Sequence, residues 1–445
     1  MADFFRKAAA PRSGAGPRRR PWFLLALLLL VVGCAPAGPP DPGVIHFVTW
    51  KPNAPAAWRA VYQAFEARYP QYHLALEIGP HSSSNFHDLL TQKLKNRSTD
   101  VDVFLMDVVW PAEFASAGWA RPLDDLFPPA EQAKFQAGAI AANTWQGHIY
   151  GVPLYLDAGL LYYRRDLLAA HGFHPPATWP ELVTQARAVM AGESRAGRQV
   201  WGYSGQFKQY EGLICNMQEF ILSAGGRLLA DHGRRCGLTS PAALGAVAFV
   251  RQEIIGSLAP RGVLTYQEPE SLALFLQGRA VFLRNWPYAW RIVNDPAQSR
   301  VAGRVGLASL PHFPGQAGAA SLGGWQVGIS AYSRNPAGAW ALVSFLTGPE
   351  GQAILARAGG LTPSRPALYD DPGVLAAMPQ LTAMKAALAQ ARPRPLTPLY
   401  PAVSDQMQIY FHQALAGRDD DPAARAAAAC REIDGLLALT RGEGR

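Results

Sequence analysis

Two α/β lobes are what this sequence predicts, on three observations. Short apolar runs alternate with amphipathic helical stretches from Val44 to Asp107, the rhythm returns near Arg300, and 445 residues can fill two or three cores. The first run, Val44 to Trp50, is rich in β-branched and aromatic residues. Trp58, Val61, Tyr62 and Phe65 then recur at helical spacing until Pro70 stops them. Leu74 to Ile78 alternates like a strand, and His87 to Lys95 reads as a second helix. Val101 to Met106 is nearly all apolar, the mark of a strand covered on both faces. Strand, helix, strand, helix, strand argues for a parallel sheet, because parallel neighbours need a crossover between them. Ligands sit beyond the carboxyl ends of such strands, and Trp50 and Asp107 stand at two of those ends.

Gly151 to Asp157 is another apolar strand that ends in a carboxylate. Thr178-Trp179-Pro180-Glu181 announces a helix, with capping-box spacing and a proline in the first turn. Helices rich in Ala and Leu continue through Glu219, Val247 and Leu274. Val305 to Leu310 is strand-like, Gly328-Ile329-Ser330 follows, and a helix runs from Pro336 to Phe345. Proline-rich segments at 362–366 and 392–401 bracket a helical piece around Ala383, and Pro422 to Leu439 is a further Ala/Leu helix. No internal repeat of fixed period occurs.

Upstream of the first strand, Arg18, Arg19 and Arg20 precede the apolar run Trp22–Val32, which Gly33 and Cys34 end. This is the positive, apolar and small-residue order of an export signal. The run of 11 residues rises about 16 Å as a helix, roughly half the bilayer core, so a retained membrane anchor is the weaker reading. Val31-Val32-Gly33-Cys34 resembles a bacterial lipoprotein cleavage box, with Cys34 lipidated, residues 1–33 removed and the proline-rich stretch 34–43 as a tether. The expected location is the outer face of a membrane. Taking the six basic residues and one acid of 1–33 from totals of 41 and 33 leaves 35 and 32, a net of +3. With no long basic run left, nucleic acid is not an expected partner.

The remaining cysteines are Cys215, Cys236 and Cys430. Cys215 and Cys236 are candidates for a disulfide in an oxidising compartment, with three buried free thiols as the alternative. Neither the cysteines nor the scattered histidines have metal-site spacing, and no cofactor is expected. Gly-x-Ser-x-Gly, His-Glu-x-x-His, the Walker loop and the dinucleotide glycine fingerprint are all missing, so no catalytic residue is assigned. The enzymatic reading left open is a glycosidase, which needs only two carboxylates, here Asp107 and Asp157.

Aromatic side chains gather beside glycine, proline and carboxylates. They stand at Trp50, at Asp107 with Trp110, at Tyr155 with Asp157, in Asn285-Trp286-Pro287-Tyr288-Ala289-Trp290, and in Gly323-Gly324-Trp325. A sugar calls for this mixture, since carboxylates accept hydrogen bonds from hydroxyls while pyranose C–H faces pack on flat rings. Glycines let the backbone approach a ligand closely. Taken singly, a Trp is more often core and a strand-end carboxylate as often caps the next helix. The conjunction is what points to a sugar.

Those motifs, with Asp102 to Asp107, Asp157 to Arg164 and Gln209-Tyr210-Glu211-Gly212-Leu213, resemble the extracellular solute-binding proteins of carbohydrate ABC importers. Within that family they resemble the trehalose/maltose-binding branch. The resemblance runs from about Val44 to the last helix. It implies a two-lobed periplasmic-binding-protein fold of type II, with the chain crossing between lobes three times, near Asp157, Val305 and Pro366. Residues 44–156 plus 306–365 would form one lobe and 157–305 plus 366–445 the other. It also implies a monomer that holds a di- or oligosaccharide and passes it to the permease's transmembrane subunits. Carried over by position, Asp107 and Asp157 would take hydroxyls, and Tyr155, Trp286, Tyr288 and Trp325 would be aromatic walls. The backbone at Gly323 and Gly324 would contribute, and Arg394 would reach in from the second lobe. Two positions depart from the branch: Ala54 stands where an acidic residue is expected, and His87 where an arginine is. Besides a glycosidase, the other competing reading is a sugar receptor for a signalling partner.

Overall fold

A computed structural model describes residues 43–417 and 421–440. The predicted signal segment, the lipidation site Cys34 and all of the tether except Gly43 lie outside the described residues. Strands β1 (Val44–Thr49), β2 (His73–Ile78) and β3 (Val103–Asp107) are parallel, with β1 in the middle. Helices α1 (Pro55–Arg68) and α2 (Ser83–Lys95) form the crossovers. Helix α2 begins a turn before His87, because Ser82 caps it by accepting from the Asn85 N–H. Every residue of β3 is buried, as its unbroken apolar run requires.

Two antiparallel strands extend this sheet. β4 (Val152–Ala158) and the ten-residue β9 (Ala320–Ile329) pair with each other, and β9 also pairs with β3. The sequence pattern marked only the apolar end of β9, since its first half is Ala-Ser-Leu-Gly-Gly. A second sheet holds β5 (Leu160–Arg164), β6 (Trp201–Ser204), β7 (Ala280–Asn285) and β8 (Val305–Ala308), in the order β8-β5-β7-β6. Its helices include α3 (Trp179–Arg195), α4 (Glu211–Leu222), α5 (Glu268–Leu276), α6 (Tyr400–Leu415) and α7 (Pro422–Thr440). Both halves of the Thr178–Glu181 capping box are formed.

The chain therefore passes between two sheets. It leaves the first at Gly159, returns between residues 308 and 320, and leaves again after 392. The last two passages lie downstream of the expected 305/306 and 365/366 boundaries. β8 hydrogen-bonds to β5, which keeps residues 305–308 in the second sheet. Ala391 and Arg392 pair with Ala320 and Ser321, so the first sheet still holds the chain well after Pro366.

The disulfide expectation is corrected. Cys236 is bonded to Cys430, with Cα atoms 5.1 Å apart, and Cys215 is a buried free thiol. Cys215 is locked inside α4, whereas Cys236 sits on a short hairpin that packs against α7, where the Asp434 carboxylate accepts from the Cys236 N–H at 2.6 Å. Closeness in sequence gave way to tertiary packing.

Candidate functional site

The register of β9 builds the site. Trp325 lies opposite Asp107 on one neighbouring strand and Tyr155 on the other, and Gly323 lies opposite Asp157. Gly324 has φ +129°, and a Cβ there would come within 2.5 Å of the Tyr155 carbonyl oxygen, so only glycine lets the strands approach this closely. Asp107, Tyr155, Asp157, Trp286, Tyr288, Gly323, Gly324, Trp325 and Arg394, all selected from the sequence, line one cleft of about 770 Å³, counted to its open mouth. Five come from one antiparallel pairing and Asp107 from the strand beside it. Trp286, Tyr288 and Arg394 follow β7 and β10 (Ala391–Arg392).

The Trp325 ring stacks on Trp50, with centroids 5.1 Å apart and planes 14° apart, and meets Trp110 edge-on at 5.6 Å. Across the cleft, the Arg284 guanidinium lies 3.8 Å over the Trp286 ring, while the Trp286 Nε1–H donates to Glu268 Oε1 at 3.1 Å. Tyr210 donates to the other Glu268 oxygen at 2.8 Å. Arg284 is itself fixed by a buried double hydrogen bond to Glu219, at 2.8 and 2.5 Å. The aromatic wall is thus clamped from both sides.

Arg394 closes one end. Its guanidinium donates to Asp107 Oδ1 at 2.7 Å and to Glu211 Oε1 at 2.6 Å, joining the first sheet's β3 to α4 of the second lobe. Tyr400 and Ser404 also donate to Glu211, at 2.5 Å each. The Nε–H of Arg394 stays buried and unpartnered among the described residues. Burial works against the charge of Arg394, but Asp107 and Glu211 outweigh it and raise its pKa. Burial also lifts the Asp107 carboxyl above its ordinary range, with Arg394 opposing and Glu211 adding to the rise. Asp107 additionally accepts from the Val109 N–H at 3.3 Å, so it caps the following turn and faces the cleft at once.

Asp157 differs. Its carboxylate has no hydrogen-bond partner among the described residues, and burial pushes its pKa up to about 7, against the pull of Arg284 and with a push from Asp107. Near neutrality it is part acid and part base, able to donate to or accept from a hydroxyl.

Trp50, which the sequence reading set among the sugar-suited aromatics without a specific role, also lines the cleft, as do Tyr210, Glu211 and Glu268, which it did not place in the site. Tyr210 and Glu211 lie in a motif already singled out, so the signal was present. Glu268 opens α5 with no local signal to mark it. Of the two departures, Ala54 lines the cleft and His87 does not. His87 bonds to Glu113 Oε2 at 2.6 Å and borders a separate cavity beside Tyr400. Its Glu113 hydrogen bond and charge, with Asp88, raise its pKa against the larger, opposing influence of burial. Among the described residues no cluster of His, Cys, Asp or Glu fits a metal ion.

Comparison with known proteins places these observations in a family context. The profile described as bacterial extracellular solute-binding protein matches residues 50–353. A probable ABC transporter-binding protein of Deinococcus radiodurans is 36% identical over 360 residues, 80% of this chain and 84% of that one. The maltose-bound MalE3 structure of T. maritima is 35% identical, with TM-score 0.81 over 89% of this chain and 100% of that one. A ribitol complex from Agrobacterium radiobacter K84 has TM-score 0.80 at 21% identity, covering 89% and 99%, which establishes the shared two-lobed fold alone. These relatives are binding proteins, not enzymes.

Proposed function

Because this chain belongs to the bacterial extracellular solute-binding proteins, we propose that it binds an α-linked disaccharide, maltose- or trehalose-like, for a sugar ABC importer. The observation that carries this reading is the strand register that sets Trp325 between Asp107 and Tyr155. A flat ring with acceptors at its edge suits a pyranose, whose apolar face stacks while its rim hydroxyls donate. Asp107 and Asp157 accept hydroxyls, the Arg394 Nε–H donates, and Trp286 and Tyr288 cover the sugar from the second lobe. The likeness to a maltose-bound structure at 35% identity supports the sugar class.

In this reading the protein is a monomer held at the outer face of a membrane through a lipid on Cys34, and it hands its ligand to the permease subunits. Cys34→Ser then leaves the protein unprocessed or released from membranes; a processed variant that still partitions with membranes removes the anchor from the proposal.

Titration calorimetry with maltose, trehalose, mannitol and ribitol tests the ligand. A disaccharide is expected to bind more tightly than either polyol. Asp107→Asn is expected to weaken it about tenfold to a hundredfold, the worth of a hydrogen bond to a charged group. Both Asp107 and Trp325 are buried, so circular dichroism of Asp107→Asn and Trp325→Phe accompanies the titration. Tighter binding of a polyol sinks the disaccharide assignment. Sugar hydrolysis that vanishes in Asp157→Asn would favour a glycosidase instead.

A further inference from the structure

Arg394 is committed at both of its terminal nitrogens. Nη2 donates to Asp107 and Nη1 to Glu211, and the Nε–H alone has no partner among the described residues. The carboxylate that takes Nη1 is itself held from several sides. Glu211 opens α4; its Oε1 also accepts from Tyr400 and its Oε2 from Ser404, both in the first turns of α6. Its backbone N–H donates to Ser84 Oγ on α2 at 3.3 Å, a contact from the second lobe to the first. Asp107 in turn gives Oδ1 to Arg394 and to the Val109 N–H, and its Oδ2 makes no hydrogen bond among the described residues. Arg394 and Asp107 together therefore keep one donor, Nε–H, and one acceptor, Oδ2.

We infer that Glu211 is a positioning residue that also sets specificity: by holding Nη1 it restricts Arg394 to donation through Nε–H, so this end takes an uncharged sugar and rejects a phosphorylated or carboxylated one. The inference rests on the proposed disaccharide reading and deepens it. A hydroxyl both donates and accepts, so it can use Nε–H and Oδ2 together. An ionised phosphate or carboxylate only accepts. The paired terminal nitrogens it would grip on a free guanidinium are already taken. It would also stand among the carboxylates of Asp107, Glu211 and Glu268, all of which line the cleft. Arg284, the other guanidinium beside the cleft, offers no substitute, since two of its nitrogens are spent on Glu219. Asp107 holds one prong of Arg394 but meets the sugar itself, whereas Glu211 acts through the arginine.

Calorimetry of the purified protein with maltose and with maltose 6′-phosphate tests this, together with the NMR resonance of the Arg394 Nε–H in the sugar-free protein. The wild type is expected to hold maltose roughly a hundredfold more tightly than the phosphate. Glu211→Gln keeps the shape and loses the charge. It is expected to weaken maltose about tenfold, to narrow the preference to about tenfold, and to shift or broaden the Arg394 resonance. A merely structural side chain would weaken both ligands alike, so an unchanged preference overturns the inference. If Glu211→Gln fails to fold, Tyr400→Phe removes one hydroxyl that holds the carboxylate. That variant should weaken maltose and disturb the Arg394 resonance, and an undisturbed resonance overturns the inference. A wild type that binds the phosphate as tightly as maltose overturns it while sparing the disaccharide reading. A wild type that binds neither overturns the disaccharide reading, and the resonance then decides the positioning role by itself.

Discussion

At the level of single residues, Asp157 is the group whose protonation the fold changes most legibly. Its carboxyl is lifted from 3.8 to about 7, so the folded protein holds a proton there that the unfolded chain gives up. The stability carried by that proton is present in full below about pH 4 and lost as pH rises through 7. Asp157→Asn keeps a neutral side chain throughout. The variant should therefore gain on the wild type by about 1–3 kcal/mol between pH 4 and pH 8, a range that allows for solvent screening of a partly exposed group. Thermal denaturation of both proteins without sugar, at several pH values, measures the gap. A gap that stays constant with pH contradicts the shift. Eight of the nine cleft residues were legible because they are chemically conspicuous and stand at strand ends or in Gly- and Pro-bounded turns, whereas Arg394 was picked out only through the family resemblance. Glu268 was not, because its role comes from Trp286 and Tyr210 arriving from elsewhere in the chain. The Cys236–Cys430 pairing was equally hidden, since it depends on where a hairpin docks.

At the level of elements, strands with continuous apolar runs were readable, and β3 matched within two residues at its start and one at its end. β9 was only half readable. Its Ala-Ser-Leu-Gly-Gly opening lacks β-propensity, and pairing on both sides rather than local preference makes it a strand. Gly324 is where that pairing is least forgiving. Gly324→Ala combines an unfavourable φ of +129° with a clash against the Tyr155 carbonyl, and should cost at least about 2 kcal/mol. Gly315 has φ +75° but open space around it, so Gly315→Ala isolates the conformational part. Chemical denaturation should show the larger loss for Gly324→Ala; equal losses would mean that the strands part easily.

At the level of the whole molecule, two lobes followed from the strand–helix rhythm, whereas the points of passage between them did not. They depend on the partners of two short strands, β8 and β10, whose sequences are too brief to declare an allegiance. The disulfide spans 194 residues yet joins two parts of the second lobe. Loop-closure entropy for a span of that size is worth about 5 kcal/mol. Reduction should lower the melting temperature, and alkylation of the denatured, unreduced protein should label Cys215 but neither Cys236 nor Cys430. Labelling of Cys430 would contradict the pairing. The dual duty of β9 has an evolutionary consequence. A mutation in that strand changes both the floor of the cleft and the central pairing of a sheet, so a lineage can rarely alter one without risking the other. Adaptation to new nutrients is therefore steered toward positions such as 54, 286 and 394, where a side chain can be exchanged while the pairing of that sheet endures.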